Sequence, residues 1–150
     1  MISAKQKKWL KENLLGSQND MADTLLKNGF KSCGHGSEKT VYSKDDLDYV
    51  VKLHPVDTVY ETPEEVPDCL KKYFAHSERI NEYCHIQEKV ETGYITLEEV
   101  DEIKDLFRPL EILSNHFSRV VEGIYLLMVE ELFDFNMGKK ENGQIVIIDC

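Results

Sequence analysis

The sequence predicts an α+β fold: a small antiparallel sheet, a mainly helical remainder and a C-terminal β-hairpin. Three observations carry this. Helix-start signals recur at Ser3, at Asn19-Asp20, at Thr62-Pro63-Glu64-Glu65 and at Thr96-x-x-Glu99. A glycine-punctuated stretch rich in strand-forming residues runs from Gly29 to Leu53. The last segment joins the turn pair Asn142-Gly143 to the apolar run Ile145-Val146-Ile147-Ile148. With 150 residues, 41% of them apolar, the chain has material for one core of ordinary domain size.

The elements follow in order. Ser3 caps a first helix through about Leu15, with Trp9, Leu10 and Leu14 on its apolar side and Gly16 at its end. Asn19 or Asp20 caps a second, with Met21, Leu25 and Leu26 inside and Gly29 as its stop. From Gly29 the pattern is strand, Gly34-His35-Gly36 turn, strand to Ser43, turn at Lys44 to Asp48, then the strand Tyr49-Val50-Val51-Lys52-Leu53. This is a three-stranded antiparallel meander. Thr62-Pro63 opens a helix that Pro67 restarts and that runs to about Glu91, where Gly93 stops it. Thr96 and Glu99 open another through about Phe107, and Pro109 breaks it. Leu110 to about Glu130 has helical apolar spacing (Leu113, Phe117, Val120, Ile124, Leu127). Asn136 to Asp149 closes the chain as a hairpin.

Composition excludes several classes. A formal net charge of −10 argues against a general nucleic-acid binder, which needs cations to displace phosphate counterions. No apolar run approaches the ~18 residues that span a bilayer. The N-terminal basic residues are followed by no apolar segment, so no signal peptide is expected and the expected location is the cytoplasm. The four cysteines, at 33, 69, 84 and 150, form no Cys-x-x-Cys pair, so free reduced thiols are expected. The five histidines have no zinc-ligand spacing.

Three features carry chemistry. Glycines 34 and 36 let backbone amides approach a phosphate closely, or simply make a hairpin turn. Lys52 sits inside an apolar strand, where a lysine either snorkels to the surface or meets an anion. Asn136 and Asp149 flank the final hairpin, where an amide oxygen and a carboxylate can share a hard cation such as Mg²⁺; Asp149 alone is otherwise a strand terminus.

Gly-x-Gly loop, strand, Val50-Val51-Lys52, acidic helix, long helix, then Asn136, a glycine-turn hairpin and Ile147-Ile148-Asp149 resembles the order of parts in the atypical protein-kinase-like family. It is most similar to small kinase-like proteins of tailed bacteriophages, over about residues 30–150. The resemblance implies a minimal protein-kinase-like fold in one domain: 1–28 an N-terminal helical extension, 30–91 an N-lobe-like sheet and helix, 96–150 C-lobe-like helices and a metal-binding hairpin. It implies that Gly34 and Gly36 cover the phosphates of ATP, that Lys52 binds them, and that Asn136 and Asp149 hold Mg²⁺. The partner of Lys52 is then a glutamate on the following helix, Glu82 first and Glu78 second.

This chain departs from the family pattern at several positions. Glu131 stands five residues before Asn136, where the family carries its catalytic Asp. A Glu there does the same proton chemistry, but its extra methylene moves the carboxylate by about 1 Å, which can cost ~10²-fold in rate. Asp134 is a carboxylate out of register. Phe133 replaces the usual His, Phe135 a small residue, and Cys150 the usual Phe or Pro. The short stretch Thr92 to Thr96 leaves little room for the family's fourth and fifth strands.

Two readings follow from the resemblance. One is a phage-encoded phosphotransferase that uses Mg-ATP on a protein or small-molecule acceptor in the host. The other is an impaired pseudokinase that binds and inhibits a host protein. A third needs no resemblance: an acidic protein that acts by charge on a basic partner.

Overall fold

A computed structural model of the chain describes residues 2–35, 39–55, 68–93, 95–107 and 137–148. They fall into two compact units, Met1–Val59 with His76–Lys89, and Tyr60–Ala75 with Val90–Cys150. The described residues are α+β: helices, an antiparallel sheet and a separate β-hairpin. None of their helices is long and apolar enough to cross a membrane.

In the first unit, helix α1 (Ala4–Asn13) starts where Ser3 closes a capping box with Gln6. The Ser3 hydroxyl accepts from the Gln6 amide at 3.1 Å, and the Gln6 side chain accepts from the Ser3 amide at 2.8 Å. Helix α2 (Gln18–Lys27) is capped by Ser17, not by Asn19 or Asp20 as expected. Asp20 is instead the third helical residue, and its carboxylate takes the Ser17 amide at 2.9 Å. Two hydrogen bonds made reciprocally outweigh the single one that a cap at Asp20 would make. The end of α2 matches expectation. Gly29, at φ +87°, lets the amides of Phe30 and Gly29 return to the carbonyls of Leu25 and Leu26. Met21 and Leu25 are buried, but Leu26, expected inside, is 52% exposed.

Strands β1 (Lys31–His35), β2 (Thr40–Ser43) and β3 (Tyr49–Leu53) form the expected meander, but Gly34 and His35, expected in the turn, are paired within β1 with Val41 and Thr40. Two further strands extend it: β4 (Ser77–Asn81) and β5 (Cys84–Glu88). The sheet order is β1-β2-β3-β5-β4, antiparallel throughout, with β3 at the centre. This overturns, over residues 68–91, the helix expected from Thr62 to about Glu91. Its start signals, Thr62 to Pro67, lie outside the described residues; beyond them are a 3₁₀ helix at Asp68–Tyr73 and the β4–β5 hairpin. Cys84, His85, Ile86 and Gln87 alternate apolar and polar, the period of a strand. Asn81 makes the turn by accepting the Tyr83 amide at 2.9 Å, and its Nδ2 donates to the Leu14 carbonyl at 3.0 Å. The room for a fourth and fifth strand was therefore in the segment read as helix.

One face of this sheet is the core. Tyr42, Tyr49, Val51, Leu53, Cys84 and Ile86 pack with Leu10, Leu14, Met21, Leu25 and Phe30 from the helical side. Trp9 is half-buried against the same cluster.

In the second unit, α3 (Leu97–Phe107) begins as expected. The Thr96 hydroxyl accepts from the Glu99 amide at 3.2 Å, and the Glu99 carboxylate accepts from the Thr96 amide at 3.1 Å. Val100 and Ile103 are its buried residues. The hairpin of β6 (Met137–Lys139) and β7 (Ile145–Ile147) also forms as expected, with Asn142 accepting the Gln144 amide and Gly143 at φ +83°. Lys139 ties it to α3 through Glu99 at 3.0 Å, and to Glu91 by a pair of backbone hydrogen bonds. Gly138 faces Val90 so closely that a Cβ would collide with its side chain. The helix expected from Leu110 to Glu130 lies outside the described residues.

Candidate functional site

The other face of the five-stranded sheet is polar, and at its centre it is buried. Directly paired residues share a face, so the register defines one row across all five strands: Gly34, Val41, Lys52, His85 and Arg79. A second row on the same face carries Lys31, Ser43, Val50, Gln87 and Ser77. Alternation along β3 and β2 brings His54 and Lys39 to this face as well. Lys39, Lys52, His54, His85 and Gln87 are all buried, Lys52 and His85 at 5% exposure each.

The electrostatics follow from that placement. Burial, then the charges of Lys52 and Lys39, then His54 and Arg79, push the His85 imidazole down to about 2, so it is neutral at ordinary pH. His54 and His85 lie with ring centroids 5.0 Å apart. His54 Nδ1 is 3.0 Å from the Pro55 carbonyl, which fixes Nδ1 as its protonated nitrogen. Among the described residues Nδ1 of His85 is the buried side-chain atom with no hydrogen-bond partner. Leaving such an atom unpaired costs about 1–3 kcal/mol. Three cationic side chains, Lys52 and Lys39 buried and Arg79 half-buried, thus act on one neutral imidazole.

The sequence-predicted residues distribute unevenly over this arrangement. Lys52 is at its centre and Gly34 at the β1 end of the same row. The local packing gives no reason for a glycine at 34: a Cβ there would meet nothing within 4 Å. Its φ is not positive either, and its distinguishing feature is the bulge between Ser32 and Gly34.

Glu82 is exposed in the β4–β5 turn, because the helix expected to present it to Lys52 is a hairpin. Glu78 is in the row Tyr42, Val51, Ile86, Glu78, on the face opposite Lys52. There it is paired with Lys7 of α1 and, at 3.2 Å, with His76; Lys7 chiefly holds its carboxyl below the usual range. Gly36, Glu131, Asn136 and Asp149 lie outside the described residues. Among the described residues no three His, Cys, Asp or Glu side chains gather where a metal ion would sit. Cys33 and Cys84 are free thiols, and burial pushes Cys84 up to about 12.

Lys39, Arg79, His54, His85 and Gln87 were not singled out from sequence. The signal for His85 and Gln87 was present: polar residues alternating with Cys84 and Ile86 just after the turn-forming Asn81. A polar set in strict alternation is usually the solvent side of a strand. Here it is buried, and no pattern within β5 itself says so. Comparison of the chain with known protein families and with curated proteins finds no match in either.

Proposed function

We propose that this protein is a minimal kinase-like phosphotransferase that binds Mg-ATP. The observation that supports it best is Lys52, buried on the central strand β3 in one row with Gly34. In protein kinases the phosphate-binding lysine is on the third strand and a glycine loop joins the first two. The cations Lys39, Lys52 and Arg79 on one face fit a polyphosphate, and the open backbone at Gly34 fits close approach by its oxygens. In this reading Lys52 holds the α- and β-phosphates, Gly34 and Gly36 cover them, and Asn136 and Asp149 carry Mg²⁺. The metal, when bound, neutralises charge on the phosphates. Glu131 takes the proton of an acceptor hydroxyl as its oxygen bonds to the γ-phosphorus and ADP leaves.

Titration calorimetry with ATP, with and without Mg²⁺, tests this on the protein and on Lys52→Ala and Asp149→Asn. Mg-dependent binding, weakened at least tenfold in both variants, is the expected result. A folded protein that binds no ATP overturns the reading. Binding without transfer of labelled γ-phosphate supports the pseudokinase alternative.

A further inference from the structure

We propose that His85 is itself an anion-binding residue, its Nδ1–H donating a neutral hydrogen bond to an oxyanion held by Lys52. The inference rests on reading the polar face as a phosphate site, and it adds a residue that no kinase-like pattern in this chain supplies.

Three observations point to it. His85 is the cross-strand partner of Lys52, so the two side chains leave the sheet next to each other on one face. Its ring is buried, and among the described residues Nδ1 has no partner. Buried polar atoms are satisfied in the great majority of cases, so an orphan beside a buried lysine calls for a partner, and an oxygen of an anion held by that lysine supplies one. Burial first, and then the charges of Lys52, Lys39, His54 and Arg79, keep the imidazole uncharged. A neutral N–H then adds a hydrogen bond to the oxyanion without adding a further cation to repel the others. Where water is excluded, that bond is stronger than at the surface.

The probe is inorganic tripolyphosphate, which has acceptor oxygens and no base or sugar. Its binding is measured by calorimetry on the whole chain and on His85→Asn, His85→Gln and His85→Phe, with ATP run in parallel. Asn carries its amide near the Nδ1 position and Gln near Nε2. Loss of about 10- to 100-fold in affinity is expected for His85→Phe, as for removal of a hydrogen bond to a charged group, with recovery in His85→Asn but not His85→Gln. Folding is checked by thermal melting. A measurement on the unaltered protein covers the case of a misfolded variant: the imidazole ¹⁵N signals of His85 should shift at Nδ1 when tripolyphosphate is added.

The outcomes separate the two claims. Equal tripolyphosphate binding by the protein and His85→Phe, or an unchanged Nδ1 signal at saturation, overturns the role of His85 and leaves the nucleotide reading standing. Rescue by His85→Gln alone overturns the assignment to Nδ1. His85-dependent binding of tripolyphosphate with none of ATP supports the anion site and overturns the nucleotide reading. Binding of neither overturns both.

Discussion

Along β3 and β5 neighbouring residues go to opposite faces of the same sheet, and both faces are buried at the centre. The contrast lies in what they bury. Val51 and Ile86 meet an apolar cluster of helix and strand side chains, whereas Lys52 and His85, one position along, meet charges and a second imidazole. An apolar face is stabilised by removing its area from water, about 25 cal/mol per Å². A polar face gains nothing that way and carries desolvation costs that only partners offset. At Nδ1 of His85, among the described residues, no partner offsets that cost. That asymmetry is the usual mark of a site kept for binding.

The comparison breaks most visibly at paired positions on β5. Ile86→Ala should destabilise the protein by about 2–5 kcal/mol, because it removes apolar contacts and leaves a cavity. His85→Leu, on the neighbouring residue, should leave stability at pH 7.5 unchanged or raised, since it deletes an unpaired buried nitrogen and keeps the volume. Denaturant titrations of both variants decide it. A His85→Leu variant as unstable as Ile86→Ala would make the polar face a structural core like the other.

The pH dependence sharpens the same contrast. In the folded protein His85 is pushed down to about 2, mainly by burial, against an ordinary value of 6.5. Above 6.5 neither state protonates it, so its contribution to stability is fully present. Between 6.5 and 2 only the unfolded chain takes the proton, so stability falls with falling pH, by ~1.4 kcal/mol per unit. Between pH 7 and 5 the loss should be about 2 kcal/mol, and His85→Leu should lack that part of it. The lowered carboxyls of Asp20, Glu78 and Glu99 give up their contribution only below their ordinary 3.8 and 4.5, outside that interval. Melting temperatures across pH 5 to 7 for the two proteins are the test.

Legibility in the sequence follows how local the signal is. The meander, the Thr96 cap and the Asn142-Gly143 hairpin rest on turn and cap chemistry within a few residues, and all three were readable. The β4–β5 hairpin was not. A helix start at Thr62-Pro63 had no evident stop before Gly93, and an open-ended helix swallowed the alternation at Cys84 to Gln87. At the candidate site, Lys52 was legible because a lysine in an apolar strand is anomalous on its own. His85, Arg79 and Lys39 were not, because their meaning comes from register: three strands set beside β3 or next to its neighbours place them near Lys52. The error over Glu82 has the same origin, since its assignment depended on a helix that is a turn.

The smallest effects lie at the edges of the apolar side. Ser17→Ala removes one half of the α2 capping box and should cost about 1 kcal/mol. The Lys7–Glu78 pair should contribute less, about 0.2–1 kcal/mol, because both side chains keep 31% exposure and water screens them. The pair joins α1 to β4 on the face opposite Lys52, so Glu78→Gln separates two assignments of this glutamate. As a link between α1 and the sheet, its loss should lower stability slightly, and less so in high salt than in low. As the ion-pair partner of Lys52, its loss would weaken ATP binding. Calorimetry on Glu78→Gln should therefore show unchanged affinity beside a small, salt-dependent drop in melting temperature. A drop in affinity instead would require the strand register to bring Glu78 round to the polar face.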